Sequence, residues 1–559
     1  MSARPRVAGL LQQALDHHRA GRYNAARACC RAVLSVAPDE ADALHLLGLA
    51  AHRGGEHGEA VAYLERAVAL RPEVAHFHAN LGTAQLAAGA PAAAEPCLRA
   101  AVRLDPGRAD AWSNLGLALL RQGRPADAEP CLVAALAAGG RADAAGDLAA
   151  CRQQLGDAAA ACGDLAAEAH YRAALAVRPD HAPSLTNLGN LLAAQARLDE
   201  AIPVLRAAVA VQPATADAHN NLAAALTASG NLAEAEGASL GALRLDPAHA
   251  DAHYTLGTIR LLRGQLPEGF AGLEWRWRRR GFAAPRGFAV RQWDGARLAG
   301  RSVLLHAEQG LGDAIQMLRF VPLVAAGGRV LLELPAPLRR LAEHFAPVAD
   351  ISTAGESLPP FDLHCPLPSL PWALGLALPD IPSAPYLHPD PADEEVWQKR
   401  VDGLAGLRVG LCWAGNPGYA ADARRSIPAE RLAALADVPG ITLVSLQVGT
   451  PPPDVPLHDW SADLTDLADT AALIAALDLV ISVDTAVAHL AGALGRPVWL
   501  LNRFDTCWRW MLGRDDSPWY PTLRIIRQER PGDWDGVLAR VRDGLARGDR
   551  LSAIGEPAI

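Results

Sequence analysis

Proline recurs at a fixed interval in the first half of this sequence, and the interval limits the folds open to it. The prolines are Pro38, Pro72, Pro106, Pro179, Pro213 and Pro247, at successive spacings of 34, 34, 73, 34 and 34. The spacing of 73 fits two units of 34 plus five residues, with Gly140 where a proline is absent. A period of 34 is typical of stacked units that each contain two antiparallel helices. We therefore predict an α-solenoid of about eight units over residues 1–272.

Small residues recur inside each unit. The first helix carries the pairs Leu47-Gly48, Leu81-Gly82, Leu115-Gly116, Leu188-Gly189 and Leu256-Gly257. The second helix carries Ala60, Ala94, Ala128, Ala201 and Ala235. Only small side chains let two helices approach closely, so this pattern indicates tetratricopeptide (TPR) repeats stacked into a right-handed superhelix with a concave groove. The fifth unit, near residues 143–179, holds the five extra residues, and we expect its first helix to be longer.

One polar position repeats along the predicted groove. Asn80, Asn114, Asn187 and Asn221 each stand immediately before the leucine of the first helix. An asparagine amide offers both a donor and an acceptor, so a ladder of these residues predicts a groove that holds an extended peptide backbone. The alternative is that each asparagine only bonds a neighbouring repeat.

The repeats lose their pattern at residues 273–300. Here Arg276, Arg278, Arg279 and Arg280 alternate with Trp275 and Trp277. Such a segment can bind nucleic acid by stacking and charge. The formal net charge of −9 and the position between two domains argue against nucleic acid. We expect a capping helix that attaches the array to the next domain.

Composition sets further limits on class and location. No run reaches about 18 uninterrupted apolar residues, so we expect no membrane span. The nine cysteines show neither a CxxC motif nor a Cys/His metal spacing, which fits free thiols in a reducing cytoplasm. We expect the protein to be cytoplasmic.

The second half has the pattern of two α/β lobes, at residues 301–389 and 390–559. In the first, a strand at 302–306 leads through a glycine loop at 309–316 into a helix ending near residue 325, and a strand follows at 329–334. Gly310 and Gly312 allow a ligand to approach the backbone. Asp313 at the helix start is either structural or a general base. The proline-rich stretch 361–389 is predicted to be a linker.

The second lobe is predicted to begin with a strand at 407–413, followed by a polar loop at 414–428. Further strands are expected at 441–446 and 479–483, with a helix at 467–477 between them. Open parallel sheets bind ligands at the carboxyl ends of their strands, where this loop lies.

Residues 478–492 form the most informative stretch of this lobe. After the strand, Asp484 and Thr485 are helix N-cap residue types, and an apolar helix follows at 486–494. Free backbone N–H groups at the positive end of a helix make a phosphate site. The alternative is a βαβ unit, completed by a strand at 496–501, that binds nothing.

Together, the motifs of the second half resemble a known family. They are Gly310-Leu-Gly-Asp-Ala-Ile-Gln316, Gly410-Leu-Cys-Trp-Ala-Gly-Asn-Pro417, Arg425-Ser-Ile-Pro428 and residues 478–492. They resemble bacterial glycosyltransferases of the GT-B fold, specifically the heptosyltransferase-like group. A TPR array followed by such a domain is similar in layout to protein O-GlcNAc transferases. The resemblance implies two Rossmann-like lobes and a nucleotide-sugar donor.

The resemblance also implies roles for single residues. Asp313 would be the catalytic base, and Arg425 would hold the donor diphosphate. The other implied donor-side residues are Asn416, Asp484, Thr485, Ala486, Val487 and His489. Glu308, Gln309, Gly310 and Gly312 would lie on the sugar or acceptor side.

The function expected on these grounds is metal-independent transfer of a sugar from a nucleotide sugar, with no cofactor, to a protein acceptor held in the TPR groove. One alternative is a transferase acting on a glycan or lipid-linked glycan, with the array serving assembly. The other is a non-catalytic TPR scaffold with a degenerate transferase domain. The first lobe is short for this fold, and its glycine loop has Asp313 instead of the catalytic-site histidine that the O-GlcNAc transferases carry in their first lobe.

Overall fold

The computed structural model describes residues 3–140, 142–282, 284–419 and 422–548, and the chain divides into two compact units, Met1–Pro213 and Ala214–Ile559. The first unit consists of six antiparallel helix pairs. Its helices are α1 (Ala3–Arg19), α2 (Tyr23–Leu34), α3 (Ala41–Arg53), α4 (His57–Leu70), α5 (Ala75–Ala87), α6 (Pro91–Leu104), α7 (Ala109–Arg121), α8 (Pro125–Ala137), α9 (Ala142–Ala161), α10 (Ala166–Val177), α11 (Ala182–Ala194) and α12 (Leu198–Val211).

The recurring glycines of the first unit lie where the two helices of a pair touch. A methyl group on Gly82 would lie 2.5 Å from Cγ of Leu98, a fully buried side chain of the second helix. Gly116 and Gly189 meet Leu132 and Leu205 at the same distance. The fifth pair opens with the 20-residue helix α9, whereas α7 has 13 residues. The predicted close packing and the predicted longer helix are both confirmed.

The second unit begins with two more helix pairs. These are α13 (Ala216–Ala228), α14 (Leu232–Leu245), α15 (Ala250–Leu262) and α16 (Leu266–Leu273). A 3-10 turn, Glu274–Arg278, stands where we expected a capping helix. Arg276 in this turn is 2% exposed, and its guanidinium donates to Glu308 at 2.7 and 2.9 Å and to Ser369 Oγ at 2.7 Å. A 3-10 turn with a buried ion pair, rather than a longer capping helix, therefore follows the last repeat, whose Leu266 and Phe270 also share a hydrophobic core with the first lobe.

The first lobe contains a parallel sheet of strand order β3-β2-β1-β4. Its strands are β1 (Ser302–His306), β2 (Arg329–Leu334), β3 (Ala349–Thr353) and β4 (Leu363–Pro366), and its helices are α17 (Leu311–Leu318), α18 (Val321–Ala325), α19 (Ala336–Arg339) and α20 (Leu370–Ala373). The prediction of a linker over 361–389 was wrong at its start, because β4 pairs with β1. Proline is tolerated there because β4 is an edge strand and Pro366 is its last residue.

The second lobe contains a parallel sheet of strand order β6-β5-β7-β8-β9. Its strands are β5 (Leu407–Cys412), β6 (Ile441–Ser445), β7 (Leu479–Val483), β8 (Val498–Asn502) and β9 (Leu523–Arg527), and its helices are α21 (Pro391–Val401), α22 (Asp422–Arg425), α23 (Leu467–Ala476), α24 (Ala486–Ala493) and α25 (Trp534–Arg547). The four predicted strands of this lobe are confirmed. Strand β9 and helix α25 were not predicted.

The fold class predicted from the sequence is confirmed: a helical TPR solenoid precedes two parallel α/β sheets. Within the described residues, no helix is both long enough and apolar enough to cross a membrane.

We expect G82A to destabilise the first unit by about 1–3 kcal/mol, because the added methyl would stand 2.5 Å from Cγ of Leu98, a fully buried side chain. Urea unfolding of the full chain, followed by far-UV circular dichroism, measures this. The matched control is G58A in α4, where a methyl would meet nothing within 4 Å and should change stability by less than about 1 kcal/mol. Equal unfolding midpoints for the two variants would contradict the packing argument.

Candidate functional site

The carboxyl ends of β5 and β7 bring two predicted site segments together. The two strands are neighbours in the second sheet, with Cys412 opposite Ser482. The polar loop that follows β5 and the turn that follows β7 therefore leave the sheet at the same edge, where parallel sheets bind ligands. Residues 420 and 421 of this loop lie outside the described residues.

Helix α24 begins at this edge with unused backbone donors. Its N-cap residue, Thr485, makes no side-chain cap; its hydroxyl instead lies 3.1 Å from Ser482 Oγ and 3.6 Å from Cys412 Sγ. Among the described residues, none accepts a hydrogen bond from the N–H groups of Ala486, Val487 or Ala488. These donors lie at the positive end of the helix and are available to an anion, and we call residues 485–488 the anion-binding turn.

Arg425 lies beside this anion-binding turn. Its Nη1 donates to the backbone carbonyl of Asp484 at 3.0 Å, and its Nε donates to Asp422 Oδ1 at 2.8 Å. Its guanidinium also lies 4.9 Å from the centre of the Tyr419 ring. The structure therefore brings Arg425 and the turn together, and the resemblance had implied that both lie on the donor side. Arg425 remains partly exposed, with 18% of its side chain accessible.

Two residues predicted for the donor side have other contacts. Asn416 is exposed, and its Oδ1 accepts from the Gly418 N–H at 2.9 Å, which stabilises a turn in the loop. Asp484 does not cap α24. Its carboxylate lies 3.9 Å from His489 Nε2, so it faces the imidazole rather than the first helical N–H groups.

His489 is packed behind the anion-binding turn and not on its surface. It is 3% exposed, its Nδ1 is bonded to Tyr520 Oη at 2.9 Å, and its ring stacks on Trp510. Burial, followed by the charges of Arg509 and Arg319, holds the pKa of His489 well below its usual value. The side chain is therefore neutral and structural, which differs from the role that the resemblance implied.

The glycine loop of the first lobe meets this same helix. A methyl group on Gly312 would lie 2.9 Å from His489 Cδ2 and 3.4 Å from Ala486 Cα. We expected Gly310 and Gly312 to make room for a ligand. Instead, Gly312 makes room for α24, so that the N-termini of α17 and α24 touch.

Asp313 lies in the first turn of α17 with both carboxylate oxygens engaged. Oδ2 accepts from the Gly310 N–H at 3.1 Å, and Oδ1 forms an ion pair with Arg509 of the second lobe. The sequence analysis missed Arg509, which lies in the 3-10 turn Trp508–Trp510 between β8 and β9. A short turn has no periodicity, and the only local signal was an arginine between two tryptophans.

Glu308 and Gln309, both predicted on the acceptor side, lie in different environments. Glu308 belongs to the buried ion pair with Arg276 described above. Gln309 is exposed, and its amide donates to Glu308 Oε1 at 3.2 Å. The glycine loop is thus tied to the last repeat through Glu308.

The predicted asparagine ladder makes contacts between repeats. In the first unit the amide nitrogens of Asn80, Asn114 and Asn187 lie 2.7, 2.8 and 2.7 Å from His45 Nε2, Thr83 Oγ1 and Asp157 Oδ1, each in the preceding repeat. Asn221 lies in the second unit and is partly buried. For three of the four residues, the bond between neighbouring repeats is therefore present.

A buried histidine pair lies behind the glycine loop. His306 at the end of β1 is 2% exposed, and its Nε2 lies 3.2 Å from His364 Nδ1. Burial, with the charges of Arg286 and His364, lowers the pKa of His306 to about 3. Burial therefore keeps His306 neutral at neutral pH, and burial followed by the charge of Arg286 also lowers the pKa of His364.

Comparison with known proteins gives matches in both halves of the chain. Residues 11–75, 79–143 and 186–240 match the tetratricopeptide repeat family, and residues 462–502 match glycosyltransferase family 9 (heptosyltransferase). The second match spans β7, α24 and β8, and it includes the anion-binding turn but neither Asp313 nor Arg425.

A curated relative and two solved structures are also similar to parts of this chain. Protein FlbA of Caulobacter vibrioides is 29% identical over 329 residues, which cover 51% of this chain and 53% of that protein, so the match spans about half the length of its relative. The Sgt2 TPR domain of Aspergillus fumigatus is 25% identical and covers 21% of this chain and 81% of its own, with a TM-score of 0.21. A TPR protein of Parabacteroides merdae is 14% identical over 45% of this chain and 98% of its own, with a TM-score of 0.29.

The low pKa of His306 predicts acid sensitivity of the first lobe. In the unfolded chain His306 takes up a proton below about pH 6.5, whereas in the folded chain it stays neutral down to about pH 3. The free energy of unfolding therefore decreases as the pH falls through this window. We expect H306Q to make the decline shallower by up to about 1.4 kcal/mol per pH unit. Pulse proteolysis in urea between pH 7 and pH 4 measures the decline, and identical slopes for wild type and H306Q would contradict the assignment.

Proposed function

We propose that this protein is a glycosyltransferase that moves a sugar from a nucleoside diphosphate sugar to an acceptor, without a metal ion. The observation that carries the proposal is the anion-binding turn at the start of α24, with Arg425 beside it, on a segment that matches glycosyltransferase family 9. We also propose a cytoplasmic location.

The donor diphosphate fits the turn for electrostatic reasons. When the sugar leaves, new negative charge develops on the diphosphate oxygen that it was bonded to. The N–H groups of Ala486 and Val487, the positive end of α24 and the Arg425 guanidinium stabilise that charge without reorganising during the reaction. In this proposal they do the work that a divalent cation does in other transferases.

Asp313 is the proposed general base. Its carboxylate takes the proton from the acceptor hydroxyl, the acceptor oxygen bonds to the anomeric carbon of the sugar, and the bond from that carbon to the diphosphate breaks. The electron pair of the broken bond leaves with the nucleoside diphosphate, so atoms and charge balance. A single displacement of this kind inverts the anomeric configuration.

The proposed acceptor is a protein recruited by the TPR repeats, since such arrays present a concave surface suited to extended peptides. The contacts of Asn80, Asn114 and Asn187 with preceding repeats favour a second candidate. In that candidate the acceptor is a glycan or a lipid-linked glycan, and the array serves assembly, because one N–H of each of these amides is already engaged within the protein.

We expect a nucleoside diphosphate to raise the melting temperature of the protein and CMP, which lacks a diphosphate, to raise it much less, because only ligands bound by the native state stabilise it. Thermal shift with UDP, GDP, ADP and CMP makes this comparison. The variant R425M should weaken binding of the stabilising nucleoside diphosphate about tenfold or more, because it removes a charge-assisted hydrogen-bond donor. R425K should weaken this binding less.

The matched control is R408M. Arg408 pairs with Asp478 at the amino ends of β5 and β7, roughly 15 Å from the carboxyl edge at about 3.3 Å per residue. R408M should leave diphosphate binding unchanged within about a factor of two. Equal stabilisation by CMP, or equal binding in R425M and R408M, would count against the donor site.

We expect D313N to lower turnover by about a hundredfold to ten-thousandfold, because the amide cannot accept the acceptor proton, while binding of the nucleoside diphosphate persists. Release of that nucleoside diphosphate from the corresponding nucleotide sugar is the measurement. The control is D350N, which alters an exposed carboxylate of β3 that pairs with Arg329. Turnover of D313N at the level of D350N would rule out Asp313 as the base.

A further inference from the structure

Arg509 occupies the point where the two lobes and the two helix N-termini meet. Its Nη2 pairs with Asp313 Oδ1, and its Nε donates to Gln316 Oε1 at 2.9 Å; both partners are on α17 of the first lobe. Its own turn belongs to the second lobe, and the neighbouring Trp510 stacks on His489 of α24. The guanidinium therefore pairs with the proposed base, and Gly312, the residue before that base, adjoins Ala486 at the start of α24.

The hydrogen bonds of Arg509 leave one nitrogen poorly satisfied. Among the described residues, Nη1 has only Cys507 Sγ as a partner, at 3.0 Å, and a thiol sulfur is a weak acceptor. The side chain is 13% exposed. A buried guanidinium that lacks strong acceptors on one side gains most from an incoming oxyanion.

Two carboxylates share the field of this guanidinium. Burial disfavours the charge on Arg509, but Asp313, Cys507 and Asp484 outweigh burial and raise its pKa above the usual arginine value. Asp484 immediately precedes the anion-binding turn, and its charge is one of those that raise the pKa of Arg509. An anion at the turn and the Asp313 carboxylate therefore compete for one cation.

We propose that Arg509 is shared between Asp313 and the donor diphosphate, and that donor binding draws the guanidinium away from Asp313. The inference rests on the proposed function, because it assigns a partner exchange to the same site. Without donor, Arg509 neutralises Asp313 and occupies the oxygen that has to accept a proton. With donor, the diphosphate takes over the guanidinium and the carboxylate becomes free. Arg509 thus positions the base and makes its release depend on the donor.

Hydrogen bonds hold the backbone of the turn that carries Arg509. The proposed exchange therefore needs only the Arg509 side chain to change its partner. Met511, directly after the turn, has φ of +46°, an unusual conformation for a residue with a side chain. Arg527 Nη2 donates to the carbonyls of Trp510 and Met511 at 3.3 and 2.8 Å and holds this backbone in place. The Trp508 ring lies under the guanidinium, 4.3 Å from it.

Inorganic pyrophosphate is the probe, because it offers the diphosphate without any nucleotide or sugar. We expect D313N to bind pyrophosphate at least about fivefold more tightly than wild type, since the competing carboxylate is gone, and R509M to bind it about tenfold more weakly. In the double variant D313N/R509M the gain from D313N should fall below about twofold. Isothermal titration calorimetry of the four full-length proteins gives this cycle.

The cycle separates exchange from simple charge removal. Loss of one negative charge near an anion site tightens binding in both backgrounds, whereas exchange tightens it only where Arg509 is present. R509K should restore part of the coupling that R509M removes, whereas R408M should leave the coupling unchanged. The far-UV circular dichroism of each variant checks that it is folded. An equal gain from D313N in both backgrounds overturns the exchange alone. If wild type binds neither pyrophosphate nor any nucleotide, the proposed function fails and the exchange fails with it.

Discussion

Helices α17 and α24 can meet at their N-termini only because residue 312 has no side chain. A methyl there would stand 2.9 Å from His489 and 3.4 Å from Ala486. The contact sets two positive helix ends side by side, and such an arrangement is unfavourable unless negative charge lies nearby. Asp313 supplies part of that charge on α17. The first turn of α24 has no acidic residue, so its N–H groups remain available to an anion.

A second contact fixes the same two helices at a distance from the site. Arg319, just after α17, is 2% exposed and donates to the carbonyls of Trp519 and Pro382 at 2.7 and 3.3 Å. Its guanidinium also lies 4.7 Å from the Tyr520 ring, and Tyr520 Oη is bonded to His489. The lobes are therefore joined at both ends of α17, and the spacing between Asp313 and the anion-binding turn is set by packed side chains.

The sequence predicted which loops share the edge of the second sheet. It did not predict which side chains of the second lobe are covered by the first lobe. The loops after β5 and β7 could be expected at one edge of a parallel sheet, and the resemblance added that Arg425 holds the donor diphosphate there. His489 lies one turn after Ala486 on the same face of α24, and only the structure reveals that the first lobe covers that face. The contact of Arg509 with Asp313 joins residues 196 positions apart, and no local pattern encodes it.

Buried arginines both join the lobes and line the proposed site. A guanidinium stays charged when buried and offers a planar set of donors, whereas a lysine ammonium is more strongly hydrated and loses its proton more readily when buried. Arg276 and Arg319 have protein acceptors for all three nitrogens, so they act as fixed joints. Arg509 differs because, in the part of the chain that the structure describes, one of its nitrogens contacts only a thiol. That difference makes it the interlobe joint that an oxyanion can loosen, and so the place where donor binding reaches the proposed base.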